Sequence, residues 1–246
     1  MRILVLLPIL RDDAIERETK KELARIASST TQYEVRSLPS GPASIESEYD
    51  EWVTSPYILN EIVRAEKEGF DAVFVSCILD VATNAAREMV KIPVIAAYRT
   101  CAAVALTLGD KFGVVTIVDS VVPILFRKTR EYGLVENLAG IRSIEVPVLE
   151  LDAHREKVLE SMVRESRILI DENKADSIIL GCTGLVGMAQ LLQEKIKVPV
   201  LDPTPICTKF VELLLTAGVS QSSHAYYKPP EKFRRLSNVP YLTGDS

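Results

Sequence analysis

The chain has 246 residues, 47% of them apolar and 26% charged, with a formal net charge of −5 and a pI near 5.3. That acidic balance excludes a nucleic-acid partner, whose phosphates need a basic surface, and no apolar run exceeds a few residues, far short of a membrane span. Four cysteines without a Cys-x-x-Cys, and two histidines, His154 and His224, leave neither a disulfide framework nor a zinc site to build.

In chain order, Met1 leads straight into an apolar run at 3–7 with no basic lead or cleavage pattern, so the expectation is a cytoplasmic protein. Strands are predicted at 3–7, 33–37, 72–76, 94–97, 113–117, 144–148, 177–180 and 200–201. Helical patterns lie between them at 13–28, 55–68, 84–89, 100–108, 122–132, 154–173, 187–195 and 205–215. Several strands are near-continuous Val/Ile/Leu, the pattern of parallel sheets covered on both faces. Asp152 is placed to cap the helix holding His154, and Thr204 to cap one with Pro205 at its first position. Residues 228–235 hold four basic residues with Glu231 and two prolines. They read as a solvated tail, part of an irregular arm from Ser220 onward that can pack against another subunit.

The informative feature is a repeat. Asp71-Ala-Val-Phe-Val-Ser-Cys77 is echoed by Asp176-Ser-Ile-Ile-Leu-Gly-Cys182, and Ile92-Pro93-Val94 by Val198-Pro199-Val200, offset by 105 to 106 residues. A period that long points to two related α/β halves rather than a solenoid. In parallel α/β units ligands bind beyond the carboxyl ends of the strands. Both Cys77 and Cys182 fall there, just before a predicted helix. A helix start favours an anion, so each thiol is expected below its ordinary pKa of about 8.5. Thr183 and Gly184 add a hydroxyl and a backbone open to close approach.

Two thiols on opposite faces of one carbon suit 1,1-proton transfer. One thiolate removes a proton next to a carbonyl, and the opposite thiol returns one to the other face, with no metal or cofactor required. A single cysteine at a strand end is more often core packing, but the matched repeat and the Gly-Cys-Thr-Gly turn favour chemistry. Cys101 and Cys207 lack both features and read as packing residues.

These residues resemble the aspartate/glutamate racemase superfamily and, within it, the hydantoin racemases, to about residue 215. The resemblance is carried by Gly41-Pro-Ala-Ser-Ile-Glu-Ser-Glu-Tyr-Asp50, Gly69-Phe-Asp-Ala-Val-Phe-Val-Ser-Cys77 with Asp80, Ala85-Ala-Arg-Glu88, Gly113-Val-Val-Thr116, Ile179-Leu-Gly-Cys-Thr-Gly184 and Val198-Pro-Val-Leu-Asp-Pro203. It implies two pseudo-symmetric, doubly wound parallel-sheet domains, 1–96 plus 203–246 and 97–202, with the active site in the cleft between them. It further implies cofactor-free catalysis by Cys77 and Cys182, with Thr116, Thr183 and the backbone at Ile78 and Gly184 holding a small-molecule substrate. Pro8 and Ile9 stand where the family commonly has an Asn-Pro-Asn loop, and Val81-Ala82 where it has Pro-Gly after the aspartate. Both loops line the cleft in the resemblance.

Hydantoins substituted at carbon five, or allantoin-like ureides, are the first substrate expectation. Aspartate or glutamate racemisation and maleate-isomerase-like chemistry are the alternatives, and a two-lobed binding protein is the non-enzymatic one. His154 and Arg11 read as exposed charges, Asp202 as either a cap or a group orienting the cleft, and Glu46, Tyr49 and Asp50 as a loop able to close over it. A symmetric homo-oligomer is the expected assembly.

Overall fold

The computed structural model describes residues 1–234 and 238–243. Arg235 of the basic segment and residues 236–237 and 244–246 of the tail lie outside the described residues. One parallel sheet contains β1 (Arg2–Leu10), β2 (Gln32–Leu38), β3 (Ala72–Val75) and β4 (Val94–Ala96) in the order β2-β1-β3-β4. The second contains β5 (Phe112–Thr116), β6 (Leu138–Ser143), β7 (Ser177–Gly181) and β8 (Val200–Leu201) in the equivalent order β6-β5-β7-β8. The central strands β3, β5 and β7 are buried along their whole length, as two-sided helical cover requires. The fold is therefore the expected pair of parallel-sheet α/β domains.

The repeated aspartates have a structural task. Asp71 accepts the Arg2 amide at 2.6 Å, and Asp176 accepts the amides of Asp110 and Lys111, both at 2.8 Å. Each carboxylate thus pins the start of the neighbouring central strand and sets its register. The repeated prolines enter the edge strands β4 and β8, where a missing N–H is tolerated, and their carbonyls accept Val73 and Ile178 amides at 2.9 Å.

The helices are α1 (Asp13–Ile26), α2 (Glu48–Lys67), α3 (Thr83–Met89), α4 (Ala97–Ala105), α5 (Val121–Glu131), α6 (Arg155–Asp171), α7 (Ala189–Ile196), α8 (Pro203–Ala217) and α9 (Pro240–Thr243). Four local expectations are corrected. The sixth strand is Leu138–Ser143 rather than 144–148. Ile144 and Val146 are buried and their amides still donate to Thr116 O and Ile117 O at 2.9 and 3.1 Å, but Glu145 between them sits at φ +57° and breaks the extended strand. α2 begins at Glu48 rather than 55, because the Ser47 hydroxyl accepts the Asp50 amide and caps it. α8 is capped by Asp202 with Pro203 in its first turn, one step before Thr204-Pro205. Asp152 pairs with Arg155 at 3.4 Å and makes no cap on α6.

Two helices cross between the sheets. α4 leaves β4 of the first sheet and packs on β7 and α8, while α8 leaves β8 of the second and packs on β3, β4 and α1. Cys101 and Cys207, both wholly buried, meet where these helices touch. The described part of the tail folds back on its own chain. Gln221 exchanges hydrogen bonds with Val90, Ile92 and Val94, and Tyr226 accepts Arg87 and Arg99.

α8 is anchored by Glu212, whose side chain is 8% exposed. Its carboxylate accepts the Ser28 amide and hydroxyl at 3.0 and 2.6 Å, the Tyr33 hydroxyl at 3.0 Å and the Lys209 ammonium at 2.9 Å. Burial alone would raise its pKa, but these donors overcome it and hold the group at about 2. A carboxyl depressed in the folded state adds stability above its unfolded pKa and loses it as pH falls through the folded one. Glu212→Gln is therefore expected to cost about 2–3 kcal/mol at neutral pH. In urea unfolding the gap to wild type should close between about pH 4.5 and about pH 2; a gap unchanged by acid would refute this role.

Candidate functional site

The first cysteine follows β3. The Ser76 amide still donates to Leu6 O at 2.9 Å, so strand pairing carries order up to Cys77. The chain then turns through residues 78–82 with Asp80 at φ +52° and Ala82 at φ +57°. Ala82 occupies a left-handed position that glycine adopts freely, which costs about 1 kcal/mol. The buried Asp80 holds this turn by accepting the Tyr98 amide at 2.8 Å, the Arg99 amide at 2.9 Å and the Tyr132 hydroxyl at 2.8 Å. It thereby caps α4, which has no side-chain cap of its own.

The second cysteine follows β7. A Cβ on Gly181 would lie 2.8 Å from Thr116 Cα, so only glycine allows β5 and β7 this spacing. Thr116 is fully buried and donates to Gly181 O at 2.8 Å, from behind the cysteine. Gly184 N donates to Cys182 Sγ at 3.2 Å, and Thr183 Oγ1 reaches across the halves to Ser76 O at 3.0 Å. Asp202 accepts the Thr204 amide at 3.0 Å and the Gly187 amide, tying α8 to this loop. Burial lifts its pKa to about 6.

A cavity of ≈ 380 Å³ between the two sheets is lined by both cysteines and by Pro8, Ile9, Thr183 and Gly184. Ile78 and Thr116, also singled out from sequence, do not line it. Leu7, Ile15, Ile45, Val148 and Val186 supply the rest of its apolar wall. Sequence reasoning missed one face of the mouth, made by Glu18, Lys21, Glu22 and Arg25 of α1. Their helical spacing of three and four was the available signal. Each cation at the mouth has a carboxylate partner: Lys21 with Glu18 at 2.6 Å, Arg25 with Glu22 at 2.9 Å, and Arg155 with Asp152 at 3.4 Å. His154 and Arg11 are exposed and do not line the cavity.

The thiols are not the depressed ones expected. A loop separates each from the next helix, so neither sits on a helix start. Burial dominates instead. It pushes Cys77 well up against the Leu79 amide that favours the thiolate, with Glu51 adding to the rise. It lifts Cys182 to about 11 against the amides of Gly184 and Leu185, with Glu46 adding to the rise. Both groups are neutral thiols at pH 7. Among the described residues no three His, Cys, Asp or Glu side chains gather as a metal ion would need, and no helix is long and apolar enough to cross a membrane.

Residues 13–211 match the family model described as Asp/Glu/Hydantoin racemase. A hydantoin racemase of Pseudomonas sp. (strain NS671) is 34% identical over 206 residues, covering 84% of this chain and 83% of that one. The hydantoin racemase of Rhizobium meliloti is 35% identical over 189 residues, 77% of this chain and 78% of its own. Among solved structures, allantoin racemase from Pseudomonas fluorescens superposes with a TM-score of 0.89 at 28% identity, over 94% of this chain and 99% of that one.

Raised but accessible thiols have a measurable signature. Alkylation of Cys182 by iodoacetamide is expected to climb about tenfold per pH unit from neutrality and to level off only near its pKa of about 11. Cys101 and Cys207 should stay unlabelled in the folded protein. Peptide mass spectrometry across the pH range reads both, and a Cys182 rate already at its plateau at pH 7 would contradict the burial effect.

Proposed function

The chain belongs to the Asp/Glu/Hydantoin racemase family and is an isomerase of the racemase kind, and on that footing we propose that it racemises 5-substituted hydantoins through Cys77 and Cys182. The observation that carries this reading is the single cavity lined by both thiols, one from each half. In the competent state the pair has lost one proton. The thiolate takes the proton from carbon five while the opposite thiol delivers its own to the other face. The thiol and thiolate have then exchanged places, so the next turnover runs in the opposite sense. Carbon five lies next to the ring carbonyl, and amides of the loops that begin at Ile78 and Thr183 are the proposed donors to the enolate oxygen. No cofactor enters the cycle.

The lining favours a neutral ring over a free amino acid. The carboxylates of an aspartate or glutamate zwitterion are held best by a free cation, whereas every cationic side chain at the cavity mouth already faces a carboxylate. The hydroxyls of Thr19, Ser44 and Thr183 have likewise given their protons to Ile15 O, Glu46 and Ser76 O, which leaves the Ser76 hydroxyl as the lining side-chain O–H donor. A cyclic ureide brings N–H and C=O groups that need no counter-ion. The aliphatic wall around Pro8 and Ile9 further favours an apolar substituent over the ureido group of allantoin, which is the second reading because of the likeness to allantoin racemases.

Enantiopure 5-benzylhydantoin in D2O is expected to lose optical rotation and gain one deuterium at carbon five. Cys77→Ser and Cys182→Ser should each slow this by about 10²–10⁴-fold, the range for loss of a positioned acid or base. Near-normal turnover in either variant would sink the two-thiol mechanism. On the same assay, kcat/KM for 5-benzylhydantoin should exceed that for allantoin by about tenfold or more, as an apolar subsite discriminates. Equal rates would return the substrate assignment to allantoin.

A further inference from the structure

Glu46 belongs to neither cysteine loop and does not line the cavity, yet every polar group it carries is engaged. Its amide donates to Asp50 at 3.1 Å, and its carbonyl accepts the Ser120 hydroxyl of the second half at 2.6 Å. One carboxylate oxygen accepts the Val148 amide, also in the second half, at 2.6 Å, and the other accepts the Ser44 hydroxyl at 3.2 Å. Its neighbours Ser44 and Ile45 line the cavity from one side and Val148 lines it from the other. The residue therefore joins the two walls at the place where they meet.

We propose that Glu46 is a positioning residue that clasps the two halves beside the cavity, its carboxylate bonded to Ser44 and Val148 of the same pocket that Cys182 lines, so that its charge acts on that thiol. Its second role rests on Cys182 being a working base, as the functional reading has it. The charge opposes ionisation of that thiol, and the surroundings leave this effect largely uncancelled. Asp202 at the start of α8 acts in the same direction as Glu46, and Cys77 stands across the cavity. Arg155 is already paired with Asp152. On α1, Lys21 and Arg25 are paired with Glu18 and Glu22. A carboxylate bonded to both walls of a cavity is well placed to act on the groups inside it, because the walls exclude part of the water that would screen it.

Two variants separate the roles. Glu46→Gln keeps an oxygen for the Val148 amide and removes the charge, whereas Glu46→Ala removes both. Alkylation of Cys182 against pH reads the charge. In Glu46→Gln its midpoint should move about half a pH unit or more toward acid. Hydrogen exchange at the Val148 amide reads the clasp. It should stay within about twofold of wild type in Glu46→Gln and rise about tenfold or more in Glu46→Ala, the change expected on losing a charge-assisted bond. Ser120→Ala, which removes only the link to the Glu46 carbonyl, gives a third reading should Glu46→Ala not fold, and should raise exchange at residues 44–46. An alkylation midpoint identical to wild type in Glu46→Gln overturns the charge role. Unchanged exchange in both Glu46→Ala and Ser120→Ala overturns the clasp. Neither readout requires turnover, so a chain that racemises no hydantoin fails the functional reading without deciding this one.

Discussion

A thiol taken out of water keeps its proton, and a site that uses thiols as bases must exclude water without making the thiolate inaccessible. The two cysteine loops answer that tension with backbone amides rather than with cationic side chains. Leu79 N–H serves Cys77, and the amides of Gly184 and Leu185 serve Cys182. Glycine at 184 lets the chain fold back on its own cysteine, since a Cβ there would stand 3.3 Å from Sγ. Amide donors oppose the burial penalty only in part, and the thiols stay neutral near pH 7. The neutral pair has to give up only one proton to become competent, because a symmetric proton exchange needs one thiol and one thiolate rather than two anions.

The loops that carry these thiols are steadied by a buried carboxylate each, supplied from opposite ends. In the first half Asp80 sits on the cysteine loop and reaches the start of α4. In the second half Asp202 sits at the start of α8 and reaches back to Gly187 of the cysteine loop. The same join, loop to helix start, is made with donor and acceptor sides exchanged. Helix starts leave unpaired amides, so a carboxylate at either position satisfies them. This explains why the repeat is visible in strands and cysteines but not at these aspartates.

Much of this was legible in the sequence, for reasons that have limits. The Asp-to-Cys segments recur because strand register and strand end are tied to local chain length, and that spacing alone puts Cys77 and Cys182 at equivalent strand ends. Thr183 and Gly184 follow from adjacency to Cys182, and Pro8 and Ile9 came from the resemblance. Thr116 and Ile78 came from the resemblance, and the fold sets both behind the cavity surface. What sequence could not supply was the partner of each charge. The α1 stripe reads as a solvated face until α1 is seen against the cleft. The helix-start expectation for the thiols failed because five residues separate Cys77 from α3 and six separate Cys182 from α7, which puts both sulfurs beyond the reach of a helix's first amides. The sixth strand was misplaced because Ile144 and Val146, just past its end, are buried and still bonded to Thr116 and Ile117 at the end of β5, while the strand proper, with Gly140 in it, is half-exposed.

The exchange of α4 and α8 between the sheets bears on how the molecule comes apart. Each sheet is roofed in part by the helix that follows the last strand of the other, and the two helices rest on one another through Cys101 and Cys207. Neither sheet can lose its strands without uncovering apolar surface on its twin, so the halves are locked into one cooperative unit despite their separate ladders. Such packing implies that denaturation is a single event and that a severed half would be a sticky fragment rather than a small stable domain. Opening of the cleft to admit a ligand must then be a flexing about the α4–α8 seam, within an intact fold, rather than a parting of two independent bodies.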